Sequence, residues 1–195
     1  MPNFDKKFFT THDIPKYSVA NVYYYSVSDY LSGMSEIFLK EAKEKGITLP
    51  DYSKEENEIN KLTDPLEIVN YIRKINAMAN RDVIVQKVTE YADSTMPLIL
   101  KRYLTSGLDE YIEISGHCFL KNDLKYLAEL KSRYEEIRNP YAKAIACLIF
   151  AMSDLDTDTI FLYQEYLKFR RMYPNEEYEH FPLLGLHLLY ENNKL

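Results

Sequence analysis

The stretch that decides the fold reads Asn139-Pro140-Tyr141-Ala142-Lys143-Ala144-Ile145-Ala146-Cys147-Leu148. It opens an apolar segment that predicts a helix over 139–152, and the apolar pattern before it predicts another helix over 124–137. Two similar pairs flank it, predicted at 97–104 with 108–120 and at 158–172 with 181–190. From residue 94 onward, the chain is therefore predicted to form three successive helix pairs.

These pairs recur at a near-constant step. In the first helices, Tyr103 and Tyr134 are 31 positions apart, and Tyr134 and Tyr166 are 32 positions apart. In the second helices, 39 positions separate Ala146 from Gly185, because an extra loop precedes the last helix. Gly185 is placed where close packing between helices explains a glycine. A two-helix unit that recurs every ~30 to 40 residues is typical of an α-solenoid, in which each unit buries its apolar face against the next.

The chain before residue 64 is predicted to add a helical segment and a connector. Apolar residues at three-to-four spacing predict a helix over 14–45, which Gly46 ends. The pair Asp64-Pro65 opens the next helix with a side-chain cap and a proline at its first position. We therefore predict one helical domain over 1–195, composed of an N-terminal helical segment at 1–47, a polar connector at 48–63 and helix pairs at 64–195.

The composition favours helices over the glycine-rich enzyme folds. The 195 residues include 18 Tyr, only 5 Gly and no Trp, and glycine is the residue that hairpins, phosphate cradles and sharp catalytic loops need. The sequence contains no Gly-x-Ser-x-Gly, Gly-x-x-x-x-Gly-Lys or Gly-x-Gly-x-x-Gly motif. We therefore assign no catalytic residue and no cofactor, and the composition argues against an enzyme.

The net charge of −6 disfavours nucleic acid and anionic membranes as partners. Duplex binding depends on phosphate neutralisation by excess Lys and Arg, whereas this chain has 24 basic and 30 acidic residues, evenly spread. The longest apolar runs, 144–152 and 181–189, are far shorter than the ~20 residues that a membrane-spanning helix needs. Two cysteines cannot build a disulfide framework. These observations predict a cytoplasmic protein that does not cross a membrane.

The stretch from Asn139 to Leu148 resembles the start of a second helix in the HEAT-like repeat family. It is similar to the family's Asp-Pro-x-Val-Arg-x-Ala pattern, with small residues where neighbouring helices approach. The resemblance covers about residues 64–191 and implies stacked antiparallel helix pairs and, most often, a scaffold that binds other proteins. One branch of the family repairs alkylated DNA in basic clefts with aromatic residues including Trp, whereas this chain is acidic and has no Trp.

One acidic stretch matches part of a calcium-binding loop. In Asp154-Leu155-Asp156-Thr157-Asp158 the carboxylates alternate, and Glu165 falls at the twelfth position of the loop. The sixth position is Thr159, however, where the loop needs glycine for a sharp turn. Asp156 or Asp158 is more simply interpreted as the cap of the following helix. A capped turn is therefore the favoured interpretation, and calcium binding is the alternative.

The cysteines and histidines of the second helices are not predicted to form a metal site. Cys118 and Cys147 lie among apolar neighbours and are interpreted as small buried residues. His117 is placed instead on a polar stripe with Glu113 and Lys121. We therefore assign no metal ligand.

The last predicted helix points to an interaction. The run from Phe181 to Tyr190 is apolar nearly all round, whereas a solenoid's terminal helix normally turns a polar face outward. Either the N-terminal helices fold back over this helix, or it meets another chain, such as a second copy in a homodimer. Tyr103, Tyr134 and Tyr166 are predicted to pack half-buried rings between helices and to keep their hydroxyls in water.

We expect a non-enzymatic scaffold or adaptor that binds another protein. The candidate partner-binding residues lie on the second helices and are Tyr111, His117, Tyr141, Lys143 and His187. Two alternatives stay open. A nucleic-acid-binding HEAT-like module would show a concave basic stripe. An enzyme with an unrecognised helical active site would show a deep polar pocket with a perturbed carboxylate or histidine.

Overall fold

The computed structural model describes residues 3–11, 40–48, 51–75, 77–153 and 155–191. Within these ranges the regular structure is entirely helical, which confirms the all-α prediction. None of the helices found there is both long and apolar enough to cross a lipid bilayer.

The helices of this part of the chain are numbered in order. They are α1 (Lys6–Thr11), α2 (Ser53–Asn60), α3 (Pro65–Tyr71), α4 (Ala77–Glu90), α5 (Ala92–Thr105), α6 (Asp109–Lys121), α7 (Leu124–Ser132), α8 (Pro140–Met152), α9 (Thr159–Met172) and α10 (His180–Glu191). A short 3-10 turn at Tyr134–Glu136 follows α7, and residues 40–44 are also helical. The three pairs predicted from residue 94 onward correspond to α5 with α6, α7 with α8, and α9 with α10.

Two predicted bounds in these pairs are wrong by five residues: α5 begins at Ala92 rather than at Pro97, and α7 ends at Ser132 rather than at 137. The chain instead turns into α5 at Tyr91, and the Thr95 hydroxyl donates hydrogen bonds to the carbonyls of Val88 (2.8 Å) and Tyr91 (3.0 Å). This threonine connects the end of α4 to the first turn of α5.

The predicted helix over 14–45 lies outside the described residues except for its end, where residues 40–44 are helical. Gly46 ends this helix as predicted, with a positive φ of 64°. The N–H of Gly46 donates to the carbonyl of Lys43 (3.2 Å), and the N–H of Ile47 donates to the carbonyl of Ala42 (2.8 Å). This pair of bonds is the Schellman motif, which favours glycine because of its left-handed backbone.

The segment predicted as a polar connector at 48–63 contains helix α2, which was not predicted. The sequence of α2 is mostly polar, but the side chain of Ile59 is fully buried. The Asn80 amide in α4 donates to the Glu55 carboxylate of α2, at 2.5 Å, and the Asp51 carboxylate accepts from the N–H of Ser53 (2.9 Å). Packing on α4 therefore stabilises a helix that the apolar pattern alone does not predict.

Side-chain caps begin several helices where the sequence places Asp or Asn, among them α7, where the Asp123 carboxylate accepts from the Lys125 N–H (2.9 Å). The carboxylate of Asp64 accepts from the Glu67 N–H (2.8 Å) at the start of α3. At the start of α8 the Asn139 side chain accepts from the Tyr141 N–H (2.8 Å). At the start of α9 the Asp158 carboxylate accepts from the Ile160 N–H (2.7 Å). These bonds satisfy backbone donors that the first helical turn leaves free, so they fix where each helix starts.

The helices pack in two successions. Helices α2, α4, α6, α8 and α10 contact one another in that order, and α3, α5 and α7 form a second succession beside them. Each main contact joins helices that are one or two places apart along the chain. The buried apolar side chains form one continuous cluster. Within α8, every residue from Ala144 to Ala151 is buried.

The contact between α8 and α10 is close, and a glycine makes it possible. A Cβ atom added at Gly185 would lie 3.0 Å from the Cβ of Ala151 and 3.5 Å from the Cys147 carbonyl oxygen. The first distance is tighter than nearly all real Cβ contacts, whereas the second is ordinary van der Waals contact, so a side chain at Gly185 would require Ala151 to shift. The predicted role of Gly185 in close packing is confirmed.

Candidate functional site

Two of the five predicted partner-binding residues, Tyr111 and His117, are buried within α6. Their side chains are only 1% and 2% exposed, because α6 is surrounded by α4, α5, α7 and α8. The placement of His117 on a polar stripe is therefore wrong. Burial, together with the nearby charge of Arg81, lowers the pKa of His117 to about 3, so the imidazole is neutral at physiological pH. Its Nε2 atom has no hydrogen-bond partner among the described residues.

Tyr141 and Lys143, on the first turns of α8, lie at the surface and are held by neighbours. The Tyr141 hydroxyl donates to the Glu113 carboxylate of α6 at 2.9 Å. The Lys143 ammonium lies 2.8 Å from the Glu135 carboxylate and 4.9 Å from the ring centroid of Tyr134. Both side chains are partly exposed, and each is bonded to a neighbouring carboxylate, which restricts its conformations before a partner binds.

Tyr141 also belongs to a group of five aromatic rings that we call the loop cluster. Its members are Tyr141, Phe169, Tyr173, Tyr178 and Phe181. Ring centroids of contacting members lie between 5.5 Å, for Tyr173 with Tyr178, and 6.3 Å, for Phe169 with Tyr178. The three tyrosines are partly exposed. Sequence reasoning missed this cluster because it treated the loop between α9 and α10 only as extra length, although two tyrosines flank that loop.

His187, the fifth predicted residue, lies at the opposite end of α10 beneath the N-terminal segment, residues 3–11. The His187 ring centroid is 4.7 Å from that of Phe9, and the imidazole stacks on Tyr190 at 6.1 Å. Phe9 also contacts Tyr190, at 5.2 Å. The five predicted residues are therefore distributed over the core, the edge of α8 and the end of α10. Their role in partner binding stays a prediction.

The N-terminal segment also contacts α9. Phe4 and Phe8 lie against Tyr163, with ring centroids 5.6 and 6.1 Å away. We call the receiving residues Tyr163, His187 and Tyr190 the end surface. The sequence left open whether N-terminal residues or another chain meet the apolar last helix, and the structure places Phe9 against His187 and Tyr190 in its C-terminal half. Association of two copies through α10 stays a prediction.

The tyrosines at the repeat positions are more deeply buried than predicted. Tyr103, Tyr134 and Tyr166 are at most 4% exposed, and their hydroxyls bond to protein rather than to water. The contacts are those of Tyr103 with the Ala142 carbonyl (2.8 Å), of Tyr134 with the Glu165 carboxylate (2.7 Å) and of Tyr166 with the Arg170 guanidinium (3.0 Å). The expectation of wet hydroxyls is wrong because each ring lies between helices that also supply a partner for its hydroxyl group.

Tyr134 is the centre of a buried polar cluster. Its hydroxyl lies 3.4 Å from the Cys147 sulfur, and its partner Glu165 also accepts from the Lys168 ammonium at 3.0 Å. Burial raises the pKa of Cys147 and that of Tyr134 far above their usual ranges, and the neighbouring Cys147 and Glu165 raise the pKa of Tyr134 further. A fully buried, protonated thiol is not a nucleophile. This cluster connects α8 to α9 and to the preceding turn.

The acidic stretch before α9 forms the capped turn that the sequence favours. Asp158 caps the helix, and Thr159 already begins it. Glu165, the twelfth position of the calcium motif, is buried and bonded to Tyr134 and Lys168. Asp154, the first position, lies outside the described residues. No group of three potential metal-binding side chains occurs in the part of the chain that the structure describes.

Cys118 and Cys147 are both fully buried free thiols, as predicted. Burial raises the pKa of Cys118 to about 12, so it remains a protonated thiol packed among apolar side chains.

The partly exposed aromatic groups that the structure leaves as candidates for binding are the loop cluster and the end surface. A scan of protein-family models and searches of curated proteins and of solved structures found no match to this chain.

Proposed function

We propose that this chain is a solenoid of HEAT-like helix pairs that acts as a non-enzymatic scaffold for another protein. The observation that carries the proposal is the order of the helix contacts, in which each main contact joins helices one or two places apart. In a solenoid, each unit buries its apolar face only against its neighbours, which produces this order. The Asn139 cap and Pro140 at the start of α8 support the HEAT-like assignment.

The loop cluster supplies the surface for such a partner. Tyr141 and Tyr178 are partly exposed, and their rings are fixed by Phe181 and by each other, at 5.7 and 6.0 Å from Tyr141. The bond to Glu113 fixes the Tyr141 hydroxyl as well. Rigid tyrosines provide a large contact area with little loss of side-chain entropy and are enriched among the residues that dominate binding energy. Lys143 adds a charge beside them.

The proposal is tested by affinity purification with mass spectrometry from the native cell, comparing the wild type with Tyr178→Ala. The matched control is Leu167→Ala, which also truncates an exposed side chain but lies on α9 outside the loop cluster. A genuine partner is expected to be recovered equally with the wild type and the control, and about tenfold less with Tyr178→Ala. The proposal is wrong if no protein separates the three samples while circular dichroism shows all of them folded.

A further inference from the structure

Cationic side chains gather where α3 and α5 end and where the chain turns into α8. We call this group the basic edge, and its members are Arg73, Lys74, Lys101, Arg102 and Arg138. Arg102 is partly exposed, and the other four are exposed. The basic edge is therefore opposite in sign to the chain as a whole, whose net charge is −6.

Hydrogen bonds hold the three parts of the basic edge together. The Arg102 guanidinium donates to the Val69 carbonyl (3.2 Å) and to the Asn70 side chain, which joins the end of α5 to the end of α3. The backbone N–H of Arg138 donates to the Leu104 carbonyl (3.1 Å). This bond places the turn before α8 beside the last turn of α5, so the cations lie on one side of the molecule.

The charges of the basic edge are not neutralised by the described part of the chain. None of its five cations forms an ion pair with an acidic side chain that the structure describes. The carboxylates closest to Arg138 in the sequence have other partners, since Glu135 pairs with Lys143 (2.8 Å) and Glu136 with Arg133 (2.7 Å). The basic edge is therefore available to anionic groups from outside the chain.

Helix dipoles explain only part of this arrangement. The negative end of a helix attracts cations, and Arg102 donates to a carbonyl of the last turn of α3 in this way. Arg138, in contrast, lies immediately before Asn139, the N-cap of α8, where the positive end of the helix disfavours a cation. An anion bound at the basic edge would relieve this unfavourable interaction.

We propose that the basic edge binds an acidic segment of a partner protein, one with adjacent Asp or Glu side chains. Three of its five members are arginines, and a guanidinium can form two parallel hydrogen bonds with one carboxylate. Arg102 is already held by Val69 and Asn70, so binding restricts it little further. Nucleic acid is disfavoured because the chain as a whole repels phosphates. The inference adds to the proposed scaffold a second surface and the chemistry of its partner.

A binding experiment on the full chain tests the proposal with a fluorescein-labelled octaglutamate peptide as the probe. Fluorescence anisotropy is expected to show saturable binding that weakens as the salt concentration rises from about 50 mM to about 500 mM. The variant Lys101→Gln, Arg138→Gln is expected to bind about fivefold more weakly. The matched control is Lys54→Gln, Lys61→Gln, which removes the same charge from two exposed lysines near α2 and is expected to bind as the wild type does.

The remaining outcomes separate this proposal from its alternatives. Absence of saturable binding by the wild type, or an equal loss in the control variant, overturns it. Tighter binding of a single-stranded oligonucleotide than of octaglutamate, lost in Lys101→Gln, Arg138→Gln, would make nucleic acid the ligand and would also overturn it. Tyr178→Ala is expected to leave octaglutamate binding unchanged, so a failure of this assay is distinguishable from a failure of the affinity purification that tests the loop cluster.

Discussion

The helical body, residues 65–191, and the N-terminal segment, residues 3–11, are held by different kinds of contact. In the body, helices close together in the chain pack side by side, and buried polar groups are paired between them, as Tyr134 is with Glu165. The segment instead places three aromatic rings against residues 155 to 181 positions later in the sequence. We therefore expect equally buried rings to have unequal effects on stability, because a ring in the body is exposed only when the body unfolds, whereas a short terminal segment can open locally.

The largest effect is expected for Phe150→Ala in the body. Phe150 is fully buried in α8 and contacts the rings of Tyr134 and Phe161, at 6.2 and 6.4 Å. Truncation removes apolar contacts and leaves a cavity, so we expect the free energy of unfolding to fall by about 4 kcal/mol. Urea denaturation followed by circular dichroism measures it. A loss smaller than about 1 kcal/mol would mean that α8 is not part of a cooperative core.

Tyr134→Phe is expected to cost about 2 kcal/mol. The substitution keeps the ring but removes the donor to Oε2 of the buried Glu165 carboxylate, which then keeps only a longer contact with the Lys168 ammonium (3.4 Å), and a poorly satisfied buried acceptor is expensive. The matched control is Tyr173→Phe in the loop cluster, on a partly exposed ring, which is expected to change stability by less than about 0.5 kcal/mol. Equal effects in the two variants would show that the polar pairing between α9 and its neighbours does not stabilise the body.

A pH dependence of similar size is expected from His117. Its pKa is about 3 in the folded chain, against 6.5 for a solvent-exposed imidazole, so below pH 6.5 the unfolded chain takes up a proton that the folded chain does not. The stability contributed by the buried, neutral imidazole is therefore fully present above pH 6.5 and is lost as the pH falls below that value. Between pH 7 and pH 5 the loss is about 2 kcal/mol. His117→Gln should remove this difference in urea midpoints, and an unchanged pH dependence would contradict the burial of the imidazole.

The smallest effect on global unfolding is expected for Phe9→Ala. Phe9 is only 6% exposed, and a body residue so deeply buried would cost several kcal/mol on truncation. Because the segment can leave by itself, we expect a loss below about 1 kcal/mol with an unchanged urea dependence. A loss comparable with that of Phe150→Ala would remove the distinction between the two regions.

The parts of the fold that could be predicted are those determined by local sequence. Helical periodicity located the three pairs from residue 94 onward, and local backbone chemistry located the ends at Gly46, Asp64 and Asp158. Helix α2 could not be predicted, because it has a single fully buried apolar residue, Ile59, and that residue stabilises the helix only when α4 packs against it. The burial of His117 likewise depends on neighbouring helices that enclose α6 on several sides.

The candidate surfaces were harder to predict than the helices. Tyr141 and His187 were selected from their place on second helices, but their surroundings depend on residues distant in sequence. The contacts that define each surface join Tyr141 to Phe181 and Phe9 to His187, and periodicity carries no information about such pairs. The sequence did indicate that α10 is too apolar to stand alone, which is the one signal that pointed to the N-terminal segment.

Hydrogen–deuterium exchange of the full chain, resolved by mass spectrometry, most directly tests whether the end surface is closed by a segment that opens independently. We expect the amides of residues 6–11 to exchange at least ~100-fold faster than those of residues 144–151 in α8. The triple variant Phe4→Ala, Phe8→Ala, Phe9→Ala is expected to leave the exchange rates of α8 unchanged. Equal protection of the two regions in the wild type, with α8 losing protection in the triple variant, would contradict it.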